Sequence, residues 1–147
     1  MSDVPHVKVP VQLEAGATLP QYQTSGAAGM DVTCTHDVVL QPGERASVGT
    51  GLRVMIPEGY EIQVRPRSGL AIRHGLTMVN SPGTIDSDFR GEIKILMINL
   101  GSDVVTLSKG ERVAQLVLAP VVRAEFVIAD TLDNTERGTG GFGSTGQ

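Results

Sequence analysis

The sequence predicts an all-β fold, a sandwich or jelly roll, on three observations. Eighteen glycines and eight prolines in 147 residues cut the chain into short pieces. Most of those pieces are rich in Val, Ile and Leu and recur at roughly eight to twelve residues, the spacing of strands in such folds. Only one stretch, SGLAIRHG at 68–75, offers a helix, one or two turns long.

Taken in order, VKVPVQL (7–13) and MDVTC (30–34) read as strands. The run 37–67 holds three or four more, separated at Pro42-Gly43, Gly49 to Gly51 and Pro57 to Gly59. LTMVNSPGTI (76–85) and EIKILMINL (92–100) read as the arms of a β-hairpin around SDFRG. VVTLS (104–108), ERVAQLVLAPV (111–121) and EFVIA (125–129) complete the set. Within EIKILMINL the alternation lapses at Ile95-Leu96-Met97-Ile98, apolar on both faces. An antiparallel strand with one wet face keeps alternating, so this strand lies either at the centre of a sandwich or against another subunit.

The bulk properties exclude several classes. At 15.5 kDa and a mean hydropathy of +0.03 the chain fits one soluble domain, large enough to bury about two thirds of its unfolded surface. A net charge of −4 and a pI near 5.3, with no Lys/Arg block, argue against nucleic-acid or membrane-surface binding. Any anion must meet a local basic cluster. A single cysteine, Cys34, excludes an internal disulfide, and three scattered histidines give no zinc spacing. No signal peptide or spanning segment is visible, so a reducing cytoplasm is the expected compartment.

Four polar stretches stand out on this scaffold. In RPRSGLA (65–71) two arginines and a serine precede the helical turn. Ser68 is expected to cap it while the N–H groups of Ser68 and Gly69 face an anion, with Arg67 adding a bidentate contact. The plainer alternative is a capped turn with solvated arginines. In NSPGTIDSDFRGE (80–92) Asn80 interrupts a buried-looking arm, and its amide can read a pyrimidine edge offering donor and acceptor. Asp86 beside the turn is a candidate general base for a water, or one acid of a polar loop. In KGERVAQ (109–115) Arg112 and Gln115 fall on opposite sides of a strand or flank a bend. Asp31 follows four small residues, Gly26 to Gly29, on an otherwise apolar strand, where a neighbouring Arg is the expected partner. The terminal GTGGFG (138–143) satisfies the G-x-G-x-x-G pattern, but four residues follow it and no helix can form, so it is no dinucleotide loop. Ser144 stands where a P-loop has Lys. Phe142 is one of only five Phe and Tyr residues in the chain, which suggests that this tail closes over something.

In order, AGMDV, PRSGLA, N-x-x-G-x-ID-x-DFRGE, GERVAQ and RGTGGFGSTG resemble the five-motif series of the trimeric deoxyuridine triphosphatase (dUTPase) family. The resemblance spans the chain from about Leu19 to the terminus. It implies a jelly-roll-like β-clip domain over 1–134, a flexible arm at 135–147, and a homotrimer whose active sites are built from several subunits. It implies hydrolysis of dUTP to dUMP and pyrophosphate, which limits uracil in DNA and supplies dUMP for dTMP synthesis, with Mg²⁺ held by the triphosphate oxygens. By motif, Asp86 resembles the general base and Gln115 the second holder of the attacking water. Arg67, Ser68 and Gly69 look like the phosphate cradle, helped by Arg112 and Lys94. Asn80 and the backbone of Thr84, Ile85 and Asp86 look like the uracil reader. Cytosine would leave groups unpaired at about 1–3 kcal/mol each, and thymine would be refused by its methyl group. Asp31 resembles the acid that reaches the metal through water, with no other protein ligand. In the tail Arg137 would take the γ-phosphate, Phe142 would stack on uracil, and Ser144 joins the substrate contacts. Phe89 departs from the family's usual Tyr: the ring against the deoxyribose stays and its hydroxyl goes. The rivals are a dCTP deaminase on the same scaffold and a regulatory protein that keeps the pocket.

Overall fold

A computed structural model describes residues 4–146. Residues 1–3 and 147, the outer ends of the two expected regions, lie outside the described residues. The strands are β1 (Val11–Leu13), β2 (Met30–Thr33), β3 (Val38–Leu40), β4 (Arg45–Gly49), β5 (Leu52–Val54), β6 (Tyr60–Pro66), β7 (Leu76–Met78), β8 (Gly83–Ile85), β9 (Lys94–Asn99), β10 (Val105–Leu107) and β11 (Arg112–Pro120), with one helix, α1 (Ser68–His74). The breaks fall at the glycines and prolines named above, because Gly43, Gly51 and Gly59 take left-handed backbone that other residues resist.

All pairings are antiparallel. A four-stranded sheet runs β2-β11-β6-β8 and a three-stranded sheet β4-β9-β7, while β1 pairs β5 and β3 pairs β10. Val32, Val64 and Leu116 from the first sheet meet Val48, Ile95 and Met97 from the second in one core, which Leu40, Leu52 and Leu107 join from the two ribbons. A fully buried aliphatic side chain of this kind contributes about 1.5–3 kcal/mol. This is the jelly-roll-like all-β domain that the strand spacing predicts.

Two expectations are corrected. The arms around SDFRG are not one hairpin: β8 pairs β6 in the four-stranded sheet, whereas β9 lies between β4 and β7 in the other. Residues 86–93 therefore cross between sheets, and that crossing opens a cleft. EFVIA is not a strand, having no sheet partner here; Phe126, Val127 and Ile128 are exposed, and the chain beyond Pro120 lies almost wholly on the surface. In β9, finally, Ile95 and Met97 are buried while Leu96 on the other face is 41% exposed. The strand is central in its sheet, yet its second apolar face is open within a single chain.

Candidate active site

The polar residues gather into two groups. The first is built on β2, β11 and the end of β6. Gln115 stands opposite Asp31 on one side and Arg65 on the other, so the three side chains share one face of the sheet. Residues three apart on a strand normally point to opposite faces, which would separate Arg112 from Gln115. A bulge between Arg112 and Ala114 adds one residue and returns both to the Asp31 side. Of the two readings of KGERVAQ, the bend is the one observed.

Asp31 then sits between two guanidinium groups. Arg112 Nη1 donates to its Oδ2 at 3.1 Å, and Arg67 Nε lies 3.9 Å from Oδ1. Arg67 also donates to the carbonyl of Arg112 at 3.2 Å, tying the two motifs together. This is the Arg partnership expected for a lone carboxylate on an apolar strand. The Asp31 side chain is 17% exposed, so one edge still meets solvent. Gly29 explains part of the small-residue run before it: a Cβ there would lie 2.5 Å from Gln115 Oε1. Gln115 Nε2 reaches the carbonyl of Pro66 only at 3.5 Å, a weak bond that leaves the amide available.

The cap of α1 differs from expectation. Arg67, extended at φ −91° and ψ 130°, occupies the N-cap and makes no side-chain cap bond, while Ser68 is already the first helical residue. The chain leaves β6 at Pro66 and turns within one residue, so the Ser68 hydroxyl is one position too late to cap. Ser68 and Gly69 still open the helix beside the Asp31 group, with no acidic residue in the first turn.

The second group lines the cleft made by the crossing between sheets, a space of about 360 Å³ bordered by Thr84, Ile85, Asp86, Phe89, Glu92, Ile93, Lys94 and Leu96. β8 is an edge strand, so its outer backbone groups are free to read a flat polar edge. Phe89 N–H closes a turn onto the Asp86 carbonyl at 3.2 Å. The Phe89 ring lies over Gly91, where an added Cβ would come within 2.6 Å of Cζ. Asn80 is not on a buried arm as expected: it is exposed, in the turn between β7 and β8. Gly83, buried in β8, has no side chain to block the Asn80 amide, whose nitrogen would lie 3.1 Å from a Cβ at position 83.

The two groups do not meet within one chain. Ile85 pairs with Ile62, which sets Asp86 level with Glu61, whereas Gln115 is level with Arg65. Four residues along the strands and two strand spacings across them separate Asp86 from Gln115 by about 16 Å. Nor does the tail join either group. Arg137 Nε donates to the carbonyl of Gly140 at 2.7 Å, Ser144 packs on Gly140, and Phe142 is fully exposed at φ 51°.

Among the described residues no group of three or more His, Cys, Asp or Glu could hold a metal ion. Arg65, which the sequence offers only as one of two arginines before the helical turn, lies on the same face as Asp31 and Gln115 and is held by two bonds to Gln63 Oε1. Glu92, the end of the 80–92 stretch, has no role that the sequence alone suggests. Arg65 was open to discovery from register, Glu92 only from the folded chain.

The geometry can be set beside known proteins. The family model for dUTPase matches residues 15–146. Over 136 residues the chain is 57% identical to the deoxyuridine 5'-triphosphate nucleotidohydrolase of Roseobacter denitrificans, covering 90% of each. Over 131 residues it is 60% identical to the protein of that name from Bdellovibrio bacteriovorus, covering 88% of each. Among solved structures, the dUTPase of Staphylococcus bacteriophage 80alpha with dUpNHpp superposes with a TM-score of 0.88 at 28% identity, over 95% of this chain and 99% of that one. The family match over nearly the whole length and the identity to these relatives settle the assignment: the chain belongs to the dUTPase family.

Proposed function

We propose that the protein hydrolyses dUTP to dUMP and pyrophosphate, limiting uracil in DNA and supplying dUMP for dTMP synthesis. The observation that carries the reading is a pair of complementary half-sites. A cleft with an open strand edge, a ring and a carboxylate suits a deoxynucleoside. A cluster of two arginines beside a helix start suits its phosphates. A separation of about 16 Å by strand rise and spacing is too long for Asp86 and Gln115 to share one water, since general-base catalysis needs hydrogen-bond reach, about 3 Å. It supports a homotrimer in which Asp86 of one copy meets Gln115 of another.

In that site the edge of β8 at Thr84, Ile85 and Asp86, with Asn80, reads uracil, and Phe89 packs on the deoxyribose. Arg67, Ser68, Gly69, Arg112 and Lys94 take the phosphates. Asp86 accepts a proton from water as the water oxygen bonds to the α-phosphorus, and Gln115 holds the water from the other side. The bond from that phosphorus to the α–β bridging oxygen breaks, and pyrophosphate leaves with the electron pair. Ser68 and Gly69 stabilise charge developing on that oxygen, an interaction stronger in the transition state than in the ground state.

Mg²⁺ fits this arrangement as a partner of the substrate. Asp31 offers a hard carboxylate edge still open to solvent, suited to bonding a metal-bound water, and the remaining ligands would be triphosphate oxygens and water. Bound there, the ion would neutralise phosphate charge. Residues 1–134 form the β domain and 135–147 the arm, which brings Arg137 to the γ-phosphate, Phe142 to uracil and Ser144 to the substrate. Among the described residues no helix is long and apolar enough to cross a membrane; we place the reaction in the cytoplasm, with the nucleotide pool.

Product analysis with Mg²⁺ and, separately, dUTP, UTP, dTTP and dCTP tests the reading. dUMP and pyrophosphate from dUTP alone are expected. Ammonia from dCTP, or no reaction, would overturn it.

A further inference from the structure

Residues 89–92 carry Phe89 across from one sheet to the other, and their far end is fastened to the turn between β4 and β5. Glu92 Oε2 accepts the N–H of Gly51 at 3.1 Å. Ile93 donates its N–H to Leu52 O at 2.8 Å, and the buried Thr50 hydroxyl donates to Ile93 O at 2.6 Å. Among these ties only the Glu92 bond uses a side chain that also borders the cleft. Its geometry depends on Gly49: a Cβ there would lie 2.8 Å from Glu92 Oε2. Gly49 does not have a positive φ, so its lack of a side chain serves this close approach and not a turn.

The Phe89 ring has no hydroxyl with which to anchor itself. Its place is set by its own backbone, to whose carbonyl Arg90 Nη1 donates at 3.2 Å, and by Gly91 beneath it, which the Glu92 tie holds one residue further along. We infer that Glu92, seated in the gap left by Gly49, is a positioning residue that fixes the Phe89 ring and thereby sets how strictly the cleft rejects a 2′-hydroxyl. This rests on the reading of the cleft as a deoxyuridine site.

The test compares kcat/KM for dUTP and UTP in the wild type, Glu92→Ala, Glu92→Gln and Gly49→Ala, with thermal unfolding midpoints alongside. Gln retains an oxygen that can accept the Gly51 N–H, so Glu92→Gln keeps the wild-type ratio of UTP to dUTP efficiency within about threefold. Glu92→Ala removes the bond, and Gly49→Ala displaces the carboxylate while leaving Glu92 in place. Each raises the ratio about tenfold or more, the scale of one charge-assisted hydrogen bond. Should Glu92→Ala fold poorly, Gly49→Ala decides. An unchanged ratio in folded Gly49→Ala or Glu92→Ala, whatever the loss of overall activity, makes Glu92 merely structural and overturns the inference. If the wild type leaves dUTP intact, the deoxyuridine reading falls first and this inference with it.

Discussion

At the scale of single residues the proposed reaction and the fold rest on separable groups. Asp86, the proposed general base, does not hold the fold: it is exposed and lies just beyond β8. Asp86→Asn is expected to lower kcat at least about a hundredfold, the usual cost of losing a general base, while dUTP binding measured by calorimetry is kept. Near-normal turnover would remove Asp86 from its role. Cys34 has the opposite character. It is 1% exposed, and its thiol donates to Ser108 O at 3.2 Å. Burial raises its pKa above the ordinary 9.0, only partly offset by backbone hydrogen bonds from Gly110 and Glu111. The raised value means the protonated thiol is the form the fold favours, so its contribution to stability is present below pH 9.0 and is lost as pH rises through the folded pKa. Native protein should therefore react with a thiol reagent at pH 8 far more slowly than protein unfolded in guanidinium, as read from released chromophore.

At the scale of elements, buried polar joints hold the strands where the site needs them. Asn99, fully buried at the end of β9, donates to Leu40 O at 2.9 Å and Asp103 O at 2.8 Å, and accepts the N–H of Gly101 at 2.9 Å. Asn99→Leu keeps the volume and orphans three buried or half-buried groups. At about 1–3 kcal/mol for each, a large fall in the urea midpoint is expected; a small one would show that water replaces the amide. The arm behaves differently, since its residues lie on the surface. Deleting 137–147 should abolish most activity with little change in the thermal midpoint, and a large drop would make the arm structural. Most elements were legible in sequence because Gly and Pro break the chain at turns that need their backbone. Pairing was not: nothing local distinguishes two arms of one hairpin from β8 and β9 in different sheets. EFVIA has strand composition but finds no partner within its own chain. The bulge at Val113 and the fit of Glu92 into Gly49 depend on register and close approach, which no local pattern encodes.

At the scale of the whole molecule, the two proposed half-sites lie apart within one chain. Leu96 and the segment 121–132 add apolar surface that a single chain leaves open. Light scattering should give about three times 15.5 kDa, and a fully active monomer would contradict a shared site. The most direct measurement is complementation between two inactive variants. Asp86→Asn and Gln115→Ala, co-expressed with different tags and purified through both, yield mixed trimers in which one of the three interfaces joins an intact Asp86 to an intact Gln115. Activity on dUTP should return to about one third of wild type per trimer, while each variant alone stays inactive. Mixed trimers as inactive as their parents would place Asp86 and Gln115 in the same chain's site, or outside the chemistry, and contradict the account.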